Sequence, residues 1–154
     1  MRLQRTLEDA GATETLGAAL AAWVEPGTRI FLQGELGAGK TTLARGFLRQ
    51  LGHAGRVKSP SFALLETYEL DQLPVFHFDL YRMKSPAELE SIGFRDYFGR
   101  DGICLVEWPE LGAPLLGEPD MLISLRLARV GRLADLEANT ARGERLLARL
   151  VGPN

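Results

Sequence analysis

Between residues 9 and 24, Leu16, Leu20 and Trp23 recur at helical spacing until Pro26-Gly27 halts the pattern, which predicts an opening helix with those three side chains on its inner face. "TRIFLQ" is a short apolar run and predicts a buried strand. After a glycine-rich interval, Leu43, Phe47, Leu48 and Leu51 mark one face of a second helix that Gly52 closes. "ALLETYEL" and "PVFHFDLY" read as extended segments joined by a polar link around Asp71-Gln72, a hairpin that makes part of the sheet antiparallel. "SPAELESIG" offers Ser85 as N-cap, Pro86 at the first helical position, Glu88 three residues after the cap and Gly93 as the stop. "GICLVEW" is uninterrupted, as in a strand covered on both faces. "MLISLRLARV" and a stretch near Leu133 to Leu136 predict a further strand pair, and "TARGERLLARLVG" an arginine-rich amphipathic helix. No repeat, low-complexity tract or linker interrupts the chain, so residues 1–154 read as one α/β domain.

Composition narrows the function classes. A chain of 154 residues that is 45% hydrophobic can bury one real core. A net charge of −2 and a pI near 5.7 give no global basic field, so capture of RNA by charge alone is disfavoured and RNA work calls for a partner. Cys104, the one cysteine, sits in "ICLV" and reads as a small core residue in a reducing compartment. The N-terminus has no apolar core of signal-peptide length, and no run approaches the ~18 apolar residues of a membrane span. The expectation is a soluble cytoplasmic protein.

The strongest chemical signal is "GELGAGKTT", residues 34 to 42, between the apolar strand and the second helix. Gly34, Gly39, Lys40 and Thr41 match G-x-x-x-x-G-K-[ST], with Gly37 an extra glycine inside the loop. Glycines let successive backbone N–H groups turn inward toward phosphate oxygens, and the following helix adds the positive end of its dipole. Lys40 reaches the β- and γ-phosphates as a point charge, and the Thr41 hydroxyl suits Mg²⁺. Strand, loop and helix in this order predict a nucleotide-binding P-loop.

A Mg·nucleotide site needs a second acid, and open α/β sheets present it at the C-terminal end of a strand. Glu107 ends "ICLVE" and Asp79 ends "VFHFD". A carboxylate after four apolar residues must reach solvent or meet a cation, so Glu107 is the candidate for Mg²⁺. Three roles are open to Asp79: orienting the attacking water, holding the metal's outer shell, or capping a turn. "VKSPSF", residues 57 to 62, puts hydroxyls on a Ser-Pro bend, where a γ-phosphate-sensing switch and an ordinary loop are both compatible with the residues. His77 reads as a packed or surface histidine, since no His or Cys cluster exists to hold a transition metal. Trp108 reads as a buried aromatic anchor or a stacking platform, and Arg82 as a surface ion pair or an internal arginine finger.

Taken together, "GELGAGKTTLARGFL", "VKSPSFALLETY", "HFDLYR", "ELESIGFRDYF" and "ICLVEWPE" resemble the TsaE family, also called YjeE, the small ATPase of bacterial threonylcarbamoyladenosine biosynthesis on tRNA. The resemblance covers about residues 7 to 132; the family's S-P-T segment reads Ser59-Pro60-Ser61 here, which keeps the hydroxyl, and the C-terminal helix matches nothing diagnostic. It implies a three-layer P-loop NTPase fold around a central mixed parallel and antiparallel sheet. It also implies ATP with Mg²⁺, and weak hydrolysis raised by partner proteins. By resemblance, Gly37, Ala38, Gly39, Lys40, Thr41 and Thr42 grip phosphate, Thr41 and Glu107 hold the metal, and Asp79 and Ser61 belong to the catalytic or switch machinery. The segment before the first helix and Gly131-Arg132 would meet the adenine side. The implied partners are the threonylcarbamoyl transferase subunit and its inactive paralogue (TsaD and TsaB types). These modify the adenosine next to the anticodon of tRNAs reading codons that begin with A, so tRNA is reached through the complex.

Rival readings remain on sequence alone. A small-molecule or nucleotide kinase shares the loop and needs an arginine-bearing lid, for which "GFRDYFGRDG" with Arg95 and Arg100 is the candidate. A GTPase lacks support, because the only asparagines are Asn139 and Asn154 and no N-K-x-D motif exists. A binding module stabilised by nucleotide, with hydrolysis irrelevant, is the third.

Overall fold

A computed structural model describes residues 1–70 and 73–152. In chain order the elements are β1 (Arg2–Leu7), α1 (Ala10–Trp23), β2 (Arg29–Gln33), α2 (Lys40–Gln50), β3 (Leu65–Tyr68), β4 (Val75–Asp79), α3 (Ala87–Ser91), α4 (Phe94–Phe98), β5 (Ile103–Glu107), β6 (Met121–Leu127), β7 (Arg132–Ala138) and α5 (Ala141–Val151), with a 3₁₀ turn over Pro109–Gly112 after β5. The described strands form one mixed sheet in the order β1-β7-β6-β2-β5-β4-β3. The central four, β6, β2, β5 and β4, are parallel; β7 and β3 flank them antiparallel, and β1 pairs antiparallel with β7 at the edge.

Strand alternation builds the three layers. Ile30 and Leu32 of β2, with Ile103 and Leu105 of β5, join the core under α1, α2 and α5, where Leu16, Leu20, Leu43, Phe47 and Leu147 pack. Phe31, Cys104 and Val106, one residue out of phase, join the opposite core under α3 and α4 with Phe76, Phe78, Leu89, Phe94 and Phe98. Cys104 is a core residue, and burial pushes its thiol up to about 12. The same alternation puts His77, Asp79 and Glu107 on the face toward α2, since each lies an even number of residues from Val75 or Ile103.

The predicted hairpin is present as the β3/β4 pair, while its link at Asp71-Gln72 lies outside the described residues. The structure departs from the sequence reading in several places: Pro86 and not Ser85 is the cap residue of α3, and α4 is a further short helix. β1 is an additional edge strand, mostly exposed, held to β7 by the register Arg2↔Glu137 to Leu7↔Arg132. Trp23 is exposed rather than inside: the buried face of α1 runs through Thr13, Leu16, Gly17, Leu20 and Ala21, so its next member is position 24. The indole instead lies under the Arg149 guanidinium, 4.6 Å from the ring centroid.

Candidate active site

β2 delivers the chain into the glycine loop, and α2 carries it away. Gly39 takes φ +109° as the cap residue before Lys40, a left-handed conformation that favours glycine. At Gly34 a Cβ would meet the Leu125 carbonyl oxygen at 2.5 Å, so the loop can lie against β6 only without a side chain there. The loop borders a cleft of about 600 Å³.

Of the six loop residues placed on phosphate by resemblance, Gly37, Gly39, Lys40, Thr41 and Thr42 line this cleft. Ala38 is turned inward: its side chain is buried and its N–H donates to the Glu35 carbonyl at 3.0 Å. Arg132 lines the cleft too and braces the loop from β7, donating through Nε to Ala38 O at 3.2 Å and through Nη2 to Gly37 O at 3.1 Å. Asp9, whose side chain caps α1 through the Ala12 N–H, and Thr13 complete that side of the cleft.

Lys40 is buried, with Nζ donating to the Gly34 carbonyl and to the Glu35 carbonyl. Burial lowers its proton affinity, while Glu107 and Asp79 oppose that shift. The Trp108 ring covers the ammonium, with its centroid 4.2 Å from Nζ. Trp108 itself holds φ +59°, an uncommon left-handed conformation for a bulky residue, and so commits backbone strain to this position. It is half-buried, and Tyr81 packs on it at 4.9 Å.

β4 and β5 pair in register, so Asp79 and Glu107 are direct neighbours at the ends of two parallel strands. Glu107 is buried, contrary to the solvent-reaching alternative, and its partners are protein groups: Thr41 Oγ1 lies 3.1 Å from both Oε1 and Oε2, and His77 Nε2 lies 2.7 Å from Oε2. Asp79 accepts from the Tyr81 N–H at 2.9 Å and from the Ser59 hydroxyl. Burial, with the Glu107 charge adding to it, raises the Asp79 carboxyl above its ordinary range against the opposing Tyr81 hydrogen bond. Ser61 lines the cleft together with Ser59.

These donors fit Mg²⁺. Thr41 and Glu107 supply oxygen only, a hydroxyl and a carboxylate hydrogen-bonded to one another beside the glycine loop, the donor chemistry that Mg²⁺ takes. Arg82 stacks on the exposed Phe62 ring at 4.1 Å on the cleft rim. The lid candidate is absent: "FRDYF" folds as α4, Phe94 and Phe98 fill the second core, Arg95 pairs with Glu90 at 2.7 Å, and Arg100 lies over Tyr97. Neither arginine lines the cleft.

Sequence reasoning missed two participants, His77 and the Trp108 cover on Lys40. The signal for the first was available, because a residue two before Asp79 on one strand shares its face.

Comparison with known proteins bears on the family and the fold. The profile of the family described as threonylcarbamoyl adenosine biosynthesis protein TsaE matches residues 7–133. The tRNA threonylcarbamoyladenosine biosynthesis protein TsaE of Haemophilus influenzae is 45% identical over 124 residues, covering 80% of this chain and 78% of its own. The protein of that name from Bacillus subtilis is 39% identical over 116 residues, covering 75% and 72%. Among solved structures, Bacillus subtilis YdiB superposes with a TM-score of 0.82 at 31% identity, covering 98% of this chain and 95% of that one.

Proposed function

This chain belongs to the TsaE family, and from that membership we propose that it is a cytoplasmic P-loop ATPase that binds ATP with Mg²⁺. It acts as an accessory, regulatory subunit in forming the threonylcarbamoyl group on the adenosine beside the anticodon of tRNAs reading ANN codons. It hydrolyses ATP weakly alone and faster with the transferase subunit and its inactive paralogue (TsaD and TsaB types), and it reaches tRNA through them. The observation that carries the reading is the Thr41–Glu107 hydrogen-bonded pair at the mouth of a glycine loop, with Lys40 and Asp79 beside it. No helix among the described residues is long and apolar enough to cross a membrane.

The residues divide the work by chemistry. The N–H groups of Gly37 and Gly39 and the Lys40 ammonium bind the phosphates, and Arg132 holds the loop in shape. Thr41 and Glu107 would hold Mg²⁺, which when bound neutralises charge on the phosphate oxygens. Asp79 orients the attacking water, and its raised proton affinity makes it a better proton acceptor than a solvated aspartate. The Ser59–Phe62 segment is the switch: Ser59 already engages Asp79, so a change at the γ-phosphate is felt by the exposed Phe62, three residues beyond Ser59. Coupling to the transferase then requires that ATP and ADP forms differ in affinity for it.

The test is phosphate release from ATP by the protein alone and with the transferase pair, with Lys40→Ala as the blank. A partner-dependent rise that Lys40→Ala abolishes supports the proposal. An unchanged rate refutes the coupling and returns the kinase and the nucleotide-stabilised binding module as readings, and consumption of ATP that depends on a metabolite acceptor decides for the kinase.

A further inference from the structure

His77 is fully buried, lies on the α2 face of β4, and has one polar partner, Glu107. A carboxylate oxygen only accepts, so Nε2 carries the hydrogen of that bond and Nδ1 takes no part in it. That Nδ1 is the only buried side-chain nitrogen or oxygen among the described residues without a hydrogen-bond partner. Its neighbour in register on β5 is Leu105, fully buried and apolar. If packing were the whole role of position 77, an apolar side chain would fill it without leaving a nitrogen unpaired. The bond to Glu107 is what the imidazole provides there.

We infer that His77 is a positioning residue for the metal site, holding the Glu107 carboxylate from the β4 side while Thr41 holds it from α2; this rests on the Mg·ATP reading above. Glu107 is the last residue of β5, and its side chain has three torsions with which to turn the carboxylate away from Thr41. Donors on two sides remove that freedom. Thr41 spans both oxygens at 3.1 Å, and His77 fixes Oε2 at 2.7 Å, so the carboxylate plane is set before any ligand arrives. Hydrogen-bond partners that orient a metal-ligating carboxylate are worth about 10–100-fold in metal affinity.

The experiment measures binding of a non-hydrolysable ATP analogue by calorimetry, in Mg²⁺ and in EDTA, for wild type, His77→Met and His77→Gln. Methionine fills a similar volume without a donor, whereas the glutamine amide nitrogen takes the place of Nε2. His77→Met is expected to cut the Mg²⁺-dependent gain in affinity by about tenfold or more while leaving affinity in EDTA within about twofold, and His77→Gln to restore most of the gain. Should His77→Met melt out, His77→Asn replaces it, since its amide falls short of Glu107. A folded donor-free variant with the wild-type Mg²⁺ gain overturns the inference. So does an equal loss in Mg²⁺ and in EDTA by every variant, which marks a packing role. Absence of any Mg²⁺ gain in the wild type refutes the Mg·ATP reading itself.

Discussion

The contact between α1 and α2 sets where the phosphate loop stands, and Gly46→Ala tests it. A Cβ on Gly46 would lie 2.0 Å from the Glu14 carbonyl oxygen and 2.6 Å from the Glu14 Cα. Gly17 answers from α1, where a Cβ would lie 2.1 Å from the Leu43 oxygen. These are backbone atoms, so no rotamer change relieves the clash. An ordinary contact needs about 3.5 Å, so the helices must part by more than ~1 Å, enough to forfeit a quarter to a half of each dispersion contact across the seam. Overpacking of this kind costs about 3 kcal/mol, the upper end of its usual range. Alanine returns roughly 1 kcal/mol of helix propensity, leaving a net loss of about 2 kcal/mol. For a chain of this size that is a fall in Tm of about 4–8 °C. α2 begins at Lys40, so the displacement also stretches the 3.1 Å Thr41–Glu107 bonds, and nucleotide affinity in Mg²⁺ should drop roughly tenfold. Gly11→Ala, exposed on α1 with only the Asp9 side chain near, is the control and should hold or raise Tm. A Gly46→Ala protein melting within ~1 °C of wild type would refute the claim that backbone approach limits this seam.

Asp79→Asn should remove phosphate release yet stabilise the protein at neutral pH when melted without nucleotide. Because burial raises the folded-state pKa of Asp79, the unfolded chain loses its proton first as pH rises, and wild-type stability falls through that window by about 1.4 kcal/mol for each unit between the two values. The variant lacks that fall, so the two melting curves should converge in acid below the ordinary carboxylate range and separate toward neutrality; a variant less stable at pH 7 contradicts the assignment. Trp108 covers Lys40 while Trp23 lies under Arg149, so a Trp23→Phe protein should change its indole emission when ATP draws Lys40 to phosphate. Unchanged emission at a saturation verified by calorimetry would show that the Trp108 contact survives nucleotide binding.

Local pattern made most of the fold legible. β2, the loop and α2 were readable because the apolar run, the glycines and the Leu43/Phe47 periodicity are each encoded within a few residues. β5 was readable for the same reason, since five consecutive buried residues can satisfy only a strand covered on both faces. β1 was not. Its burial depends on β7, more than a hundred residues away, and its outward side chains pair with β7 as Arg2 with Glu137 and Gln4 with Asp135. An edge strand of that kind leaves no apolar alternation in its own sequence.

The site divides along the same line. Which residues carry phosphate chemistry is a local property of the motif, but how each carboxylate is satisfied depends on register. The requirement that a buried Glu107 find a partner was sound physics, yet the partners come from β4 and α2, and only the pairing of β4 with β5 brings His77 within 2.7 Å. The same register stands the two acids side by side with different partners. Glu107 receives the Thr41 hydroxyl and the His77 imidazole, whereas Asp79 receives the Tyr81 amide and the Ser59 hydroxyl, and burial raises the Asp79 carboxyl above its ordinary range. On the proposed function, these two neighbouring carboxylates with different partners divide the labour, Glu107 as a fixed metal ligand and Asp79 as an acceptor for the proton of water.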